Sequence, residues 1–172
     1  HMSLAGVSDM STIETAPEER LPIKTYVSEF SDDLIREAIL REIDREGQAY
    51  FLHNRVHNIE YISEYIRQLV PDARIAIAHG QMSEIELQKA MIAFTDGTID
   101  VLVCTTIIES GLDIPNANTL IVNRADNFGL AQLYQLRGRI GRGAKQAYSY
   151  LLIPRDTSLT ESAERRLKAM LS

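Results

Sequence analysis

Three arginines stand among three glycines in one short stretch near the end of the chain. In QLYQLRGRIGRG, residues 132–143, the basic residues are Arg137, Arg139 and Arg142. Arginine is always charged, and its planar guanidinium can bind a phosphate through two parallel hydrogen bonds. The stretch therefore indicates either a phosphate-binding surface or a solvated basic helix end that the helix dipole favours. A short arginine–glycine pattern alone does not decide between the two.

The anion that these arginines would bind is not held by a phosphate loop of this chain. No G-x-x-x-x-G-K-[ST] stretch occurs in the sequence. We therefore expect the phosphate loop to lie on another domain, with the arginines acting across a cleft. A small-molecule dinucleotide-binding enzyme is disfavoured, because no G-x-G-x-x-G follows a strand and opens a helix, and GRIGRG precedes a strand.

Composition limits the class of protein. With 172 residues, 45% of them apolar, the chain can form one domain with a substantial core. The formal net charge of −6 argues against a dedicated nucleic-acid binder, yet residues 137–145 hold four basic residues and no acidic one. There is no apolar run of membrane-spanning length and no secretory signal pattern, so we expect a cytoplasmic protein without a membrane partner.

Strands and helices are predicted to alternate along the chain. Several strands are almost continuously apolar, which is typical of a parallel sheet covered by helices on both faces. We therefore predict an α/β fold of three layers with a mostly parallel sheet. The predicted strands are residues 23–29, 48–54, 73–79, 99–105, 118–122 and 146–153. The predicted helices run from Ser31 to a stop at Gly47, over 59–69, from a capping box of Ser83 and Glu86, over 130–138, and from Leu159.

Polar or small residues follow four of the predicted strands. At or just after the strand ends these are His53, Asn54 and Arg55, then His79 and Gly80, then Thr105 and Thr106, and residues 123–126. Each of these alone is an ordinary turn or capping residue. Because ligands of such sheets bind at the carboxyl ends of the strands, four such ends indicate a shared polar surface suited to phosphate.

The sequence disfavours a metal site, a disulfide framework and a cysteine nucleophile. His53 and His57 stand four residues apart, but no thiol or carboxylate lies at a useful spacing for a metal site. The single cysteine, Cys104, excludes a disulfide framework. Its place at the end of an apolar strand predicts a buried small side chain rather than a nucleophile.

Taken in order, these segments resemble the motifs of one family. YFLHNRV resembles motif IV, residues 78–105 resemble the region from motif IVa into motif V, TTIIESGLDIPNANTLIV resembles motif V, and QLRGRIGR resembles motif VI. The chain is thus similar to the C-terminal RecA-like motor domain of superfamily 2 helicases and translocases. Residues 111–142 are similar to the branch that holds the RecG helicases and the transcription-repair coupling factors (Mfd).

The resemblance divides the chain into three parts and predicts that it is a fragment. Residues 1–22 look like the linker between the two motor lobes, although Ser8 stands where coupling factors commonly have an arginine. Residues 23–154 look like the C-terminal RecA-like helicase domain. Residues 155–172 look like the first helix of a translocation motif whose remainder is missing.

The resemblance also implies roles for single residues. The catalytic arginine fingers would be Arg139 and Arg142. The residues on the ATP side would be Gln135, Gly111 and Asp113. The residues on the DNA side would be Thr105, Thr106, His79, Gly80, Asn54 and Arg55. No metal ligands are implied in this lobe.

For the full-length protein, the resemblance implies an ATP-dependent translocase on double-stranded DNA that displaces stalled RNA polymerase in transcription-coupled repair. ATP with Mg²⁺ would be bound mainly by an N-terminal motor lobe of the same chain, and other domains would contact RNA polymerase and excision-repair proteins. The fragment alone, without a phosphate loop, is expected to be inactive. The alternatives are a RecG-like helicase that remodels replication forks and a non-catalytic nucleic-acid-binding module.

Overall fold

The computed structural model describes residues 21–105 and 114–172. The strands are β1 Lys24–Glu29, β2 Gln48–Leu52, β3 Ile75–Ala78, β4 Val101–Cys104, β5 Ala117–Val122 and β6 Tyr148–Ile153. The helices are α1 Asp32–Asp44, α2 Ile59–Leu69, α3 Glu84–Thr95, α4 Leu130–Arg137 and α5 Glu161–Leu171. Two short 3₁₀ turns, Val56–Asn58 and Ala125–Asn127, follow the ends of β2 and β5.

The six strands form one sheet in the order β1-β6-β5-β2-β4-β3, and every pairing is parallel. β2, β4 and β5 are buried along their whole length, because helices cover both faces of the sheet. One core contains α1 and α2, and the other contains α3, α4 and α5. The predicted three-layer α/β fold with a parallel sheet is confirmed.

Local sequence signals set the helix starts. The Ser31 hydroxyl accepts a hydrogen bond from the backbone of Leu34 and caps α1. Ser83 and Glu86 form the predicted capping box at the start of α3.

The end of α1 differs from the prediction. Glu46, rather than Gly47, takes the left-handed backbone conformation, with φ of 64°. Gly47 instead provides room, because a Cβ at this position would overlap the buried carboxylate of Glu42.

The last helix belongs to the same core. Ala163, Leu167 and Met170 of α5 are buried against the sheet and α4. Arg166 donates hydrogen bonds to the carbonyls of Asp126 and Phe128 at 2.9 Å each. The assignment of residues 155–172 to a translocation motif stays a prediction, and so does the linker at residues 1–22, most of which lies outside the described residues.

Candidate nucleotide-facing site

A cavity of about 620 Å³ opens at the carboxyl ends of β2 and β4, beside α4. Its walls come from three elements: the residues after the two strands, the turn before α4, and α4 with the glycine-rich stretch behind it. The lining residues are Leu52, Asn54, Thr105, Phe128, Gln132, Gln135, Leu136, Gly138, Arg139 and Arg142. The cavity thus contains residues that the family resemblance assigned separately to the ATP side and to the DNA side.

The three arginines of the opening motif have different environments. Arg137 points away from the cavity and donates hydrogen bonds to the Thr25 hydroxyl at 3.1 Å and to the Met170 carbonyl at 2.9 Å. Its guanidinium also lies 5.3 Å from the ring centre of Tyr134. Arg139 and Arg142 line the cavity instead. Only these two are therefore placed to contact a ligand there.

The backbone between the two cavity arginines is shaped by Gly141. This residue has a backbone φ of 74°, a conformation that residues other than glycine rarely adopt. A Cβ at Gly141 would lie 3.1 Å from the Ile23 side chain and 3.3 Å from Ala147. The Gly141 amide donates to the Asn118 side chain at 3.3 Å, which anchors the turn to β5. The exposed Arg142 side chain follows directly and approaches the Gly138 carbonyl at 3.4 Å.

Two glutamines of α4 face the same space. Gln135, which the sequence predicted, is exposed on the helix and lines the cavity. Gln132, which the sequence reasoning missed, lines it as well and accepts a hydrogen bond from the Gly129 amide at 2.8 Å. A glutamine three residues after the helix cap is a recognisable capping signal, so this position could have been found.

The predicted DNA-side residues are only partly brought together. Asn54 and Thr105 lie in the cavity. Arg55 is exposed beside it, and Gly80 is exposed after β3 at the far edge of the sheet. His79 accepts a hydrogen bond from the Gln81 amide at 3.1 Å and does not line the cavity. The remaining predicted residues, Thr106, Gly111 and Asp113, lie outside the described part of the chain.

A buried histidine joins the ends of β2 and β5; the sequence pattern had placed it among the polar residues at the strand ends and made it a weak candidate for a metal ligand. His53 is 7% exposed. Its Nε2 lies 2.7 Å from the side-chain oxygen of Asn58, and its Nδ1 lies 2.9 Å from the side-chain nitrogen of Asn123. These contacts fit a neutral ring that donates from Nε2 and accepts at Nδ1. Burial lowers the pKa of His53, and the nearby charges of Arg55 and His57 lower it further, while the hydrogen bond that the ring donates to Asn58 acts in the opposite direction.

The environment of Cys104 does not favour a reactive thiolate. Cys104 is fully buried, and burial raises the pKa of its thiol to about 12. Residues 21–105 and 114–172 contain no cluster of three metal-ligating side chains. Within the same residues, no helix has the length and apolarity needed to cross a bilayer.

Known sequences that match this chain come from a helicase domain family and from coupling factors. The model of the helicase conserved C-terminal domain matches residues 31–144. The transcription-repair-coupling factor of Bacillus subtilis (strain 168) is 58% identical over 170 residues, and that of Myxococcus xanthus is 54% identical over 170 residues. Each match covers 99% of this chain and 14% of the relative, so the chain spans a small part of the length of these proteins. The predicted resemblance to the coupling factors is confirmed.

Comparison with solved structures supports the fold. The structure of RecG bound to a three-way DNA junction superposes with a TM-score of 0.76 at 33% identity, covering 88% of this chain and 20% of that one. The yeast DEAD-box splicing factor Prp28 superposes with a TM-score of 0.69 at 18% identity, over 87% of this chain and 32% of that one. The second likeness shows a shared fold alone. Together with the sheet order, these comparisons confirm the predicted RecA-like architecture.

Proposed function

The chain belongs to the family of helicase conserved C-terminal domains, and on that basis we propose that it is one motor lobe of an ATP-dependent translocase on double-stranded DNA. The observation that carries this proposal is the shared cavity of Gln135, Arg139 and Arg142 at the carboxyl edge of the sheet. The similarity to the transcription-repair-coupling factors supports a translocase that acts on stalled RNA polymerase.

The donors in the cavity fit a triphosphate better than a metal ion. Arg139 and Arg142 supply guanidiniums, and three amide side chains stand beside them. No Asp or Glu lines the cavity among the residues that the structure describes. Hard cations such as Mg²⁺ prefer carboxylate and other oxygen ligands. The ion that accompanies ATP would therefore be held mainly by the other lobe, together with the phosphate loop that this sequence lacks.

The arginines of this lobe would act in trans. ATP on the other lobe supplies the phosphoryl group that is transferred to water. When the lobes close, Arg139 and Arg142 donate hydrogen bonds to the terminal phosphate oxygens and stabilise the charge that grows there. An arginine finger of this kind contributes about 10³ to 10⁵ in turnover. Because the guanidiniums come from a second lobe, hydrolysis depends on closure, and its completion permits opening.

Closure and opening would move the protein along DNA. Asn54 and Thr105 share the cavity with the arginines, so closure around the nucleotide also moves these two residues. Contacts to the phosphate backbone carry no base readout, which suits a motor that must advance over any sequence. In the full-length protein this movement would push RNA polymerase forward, and other domains would bind polymerase and excision-repair proteins.

The direct test replaces Arg142 with alanine in the full-length protein. DNA-stimulated ATP hydrolysis is expected to fall at least about 10³-fold, while ATP binding changes much less. Arg67→Ala is a matched control, since Arg67 is exposed on α2 and its guanidinium pairs with Glu64 of its own helix at 3.4 Å. Hydrolysis within a few-fold of wild type in Arg142→Ala would show that the finger assignment is wrong.

A RecG-like helicase on branched DNA is the second candidate, favoured by the TM-score of 0.76 with RecG on a three-way junction. The two functions differ in the DNA that stimulates hydrolysis. A translocase responds to linear duplex, whereas a fork-remodelling helicase responds chiefly to branched DNA. A non-catalytic binding module would instead bind duplex through this chain alone with a dissociation constant below about 10 μM, near or beyond the usual non-specific range.

A further inference from the structure

The contacts of His53 lock two adjacent loops at the carboxyl edge of the sheet. β2 and β5 are paired in register, with Leu52 opposite Val122, so the next residues are His53 and Asn123. The backbone amide of Asn123 donates to the Leu52 carbonyl at 2.9 Å, and the backbone amide of His53 donates to the Cys104 carbonyl at 2.8 Å. The ring of His53 therefore lies at the junction of three strand ends.

One ring nitrogen closes the loop after β2. The contact of Nε2 with Asn58 joins the first and last residues of the segment 53–58. Arg55 lies inside this closed segment, and its amide donates to the His53 carbonyl at 2.8 Å. Its side chain is exposed to solvent. The loop thus holds an exposed guanidinium on a backbone that is bonded at both ends.

The other ring nitrogen holds the turn after β5. The contact of Nδ1 with Asn123 fixes the residue that precedes Arg124. Arg124 has φ of 54° and ψ of 51°, a left-handed conformation that is uncommon for a residue with a side chain. Its side chain is 46% exposed, and its guanidinium is paired with the Asp126 carboxylate through two contacts of 3.5 Å each, the limit of a hydrogen bond. The turn therefore carries a second exposed arginine, two residues beyond the end of β5, as Arg55 lies beyond the end of its paired strand β2 at Leu52.

We propose that Arg55 and Arg124 form a pair of DNA phosphate contacts and that His53 is the positioning residue that holds both. This inference rests on the proposed function, because it takes duplex DNA as the ligand. Arg124 was not among the residues that the family resemblance assigned. A buried neutral ring suits the task, since one side chain supplies a donor to one loop and an acceptor to the other.

The test is the salt dependence of duplex binding by the full-length protein with a non-hydrolysable ATP analogue. The slope of log affinity against log salt is negative, and each lost phosphate contact reduces its magnitude by about 0.9. Arg55→Gln and Arg124→Gln are each expected to lower it by about that amount. His53→Phe, which keeps the ring but removes both contacts, is expected to lower it by about twice as much with both arginines still present. Arg67→Gln, on a different surface, should leave the slope unchanged.

Two conservative variants separate positioning from general loss of structure. His53→Gln places an amide near the position of Nε2 and keeps the donor to Asn58, so it should lose mainly the Arg124 contact. His53→Asn places its amide oxygen near Nδ1 and keeps the acceptor for Asn123, so it should lose mainly the Arg55 contact. Accordingly, adding Arg124→Gln to His53→Gln should reduce the magnitude of the slope no further, whereas adding Arg55→Gln should.

Each outcome decides a different claim. Wild-type slopes in both arginine variants would overturn the phosphate pair. Reduced slopes in the arginine variants with a wild-type slope in His53→Phe would overturn the positioning role, even if that variant melts at a lower temperature. Absence of any duplex binding by the full-length protein would overturn the proposed function itself, which the Arg142→Ala hydrolysis assay tests separately.

Discussion

Replacing Arg137 with alanine should destabilise the domain, although Arg137 belongs to the same motif as the two cavity arginines. Its guanidinium bonds the Thr25 hydroxyl and the Met170 carbonyl and lies over Tyr134. The two hydrogen bonds connect α4 to β1 and to the end of α5, and the ring contact lies within α4. Their loss should therefore loosen the packing of the helix that carries the cavity residues.

The size of the effect follows from these contacts. Hydrogen bonds from a charged donor contribute about 1.5 kcal/mol each at the lower end of their range, which applies to this half-buried side chain. A cation–π contact adds about 0.5 kcal/mol at an exposed site. The sum is about 3.5 kcal/mol, which lowers the melting temperature by roughly 7 to 14 °C in a domain of this size.

The assay is thermal unfolding of the 172-residue chain, followed by circular dichroism. Arg137→Met keeps most of the apolar stem and separates packing from hydrogen bonding. Arg142→Ala is the matched control, because its side chain is exposed and its guanidinium makes a long 3.4 Å contact with the Gly138 carbonyl of its own turn. Equal melting temperatures for Arg137→Ala and Arg142→Ala would refute the division of the motif into one structural and two functional arginines.

Three further predictions concern stability and reactivity. The pKa of His53 is lowered in the folded state, so the imidazole binds a proton more readily in the unfolded chain. The stabilising contribution of neutral His53 is therefore complete above about pH 6.5 and is lost as the pH falls. His53→Gln should remove that part of the pH dependence of the melting temperature, and an unchanged dependence would contradict it. Gly47→Ala should cost about 1–3 kcal/mol in denaturant unfolding by displacing the Glu42 carboxylate from Arg45, whereas Gly80→Ala, with open space around it, should cost much less. Cys104 should react with a thiol reagent only after denaturation, and rapid labelling of the native chain would contradict its burial.

The sequence predicted the parts of the fold that local patterns determine. The apolar runs of β4 and β5 indicated strands buried on both faces, and the structure buries them completely. The pair Ser83 and Glu86 lies three residues apart and forms its capping box within one turn. These predictions succeeded because every residue that they needed was close in sequence.

The parts that failed or were missed depend on distant residues. Gly47 is required because of the Glu42 side chain, not because it ends a helix. Nothing near Arg137 in the sequence shows that its partners are Thr25 and Met170. In the same way, His53 meets Asn123 across 70 residues of chain. Such contacts are set by the order of strands in the sheet, which a pattern of neighbouring residues does not encode.

The central claim is that this lobe completes an ATP site whose phosphate loop lies elsewhere in the same protein. The most direct measurement is an experimental structure of the full-length protein with ADP and aluminium fluoride, which mimics the transferring phosphoryl group. Arg139 or Arg142 is predicted to place a guanidinium nitrogen within about 3 Å of a fluoride, the distance of a charge-assisted hydrogen bond. A closed nucleotide site with both guanidiniums turned away from the fluoride would contradict it.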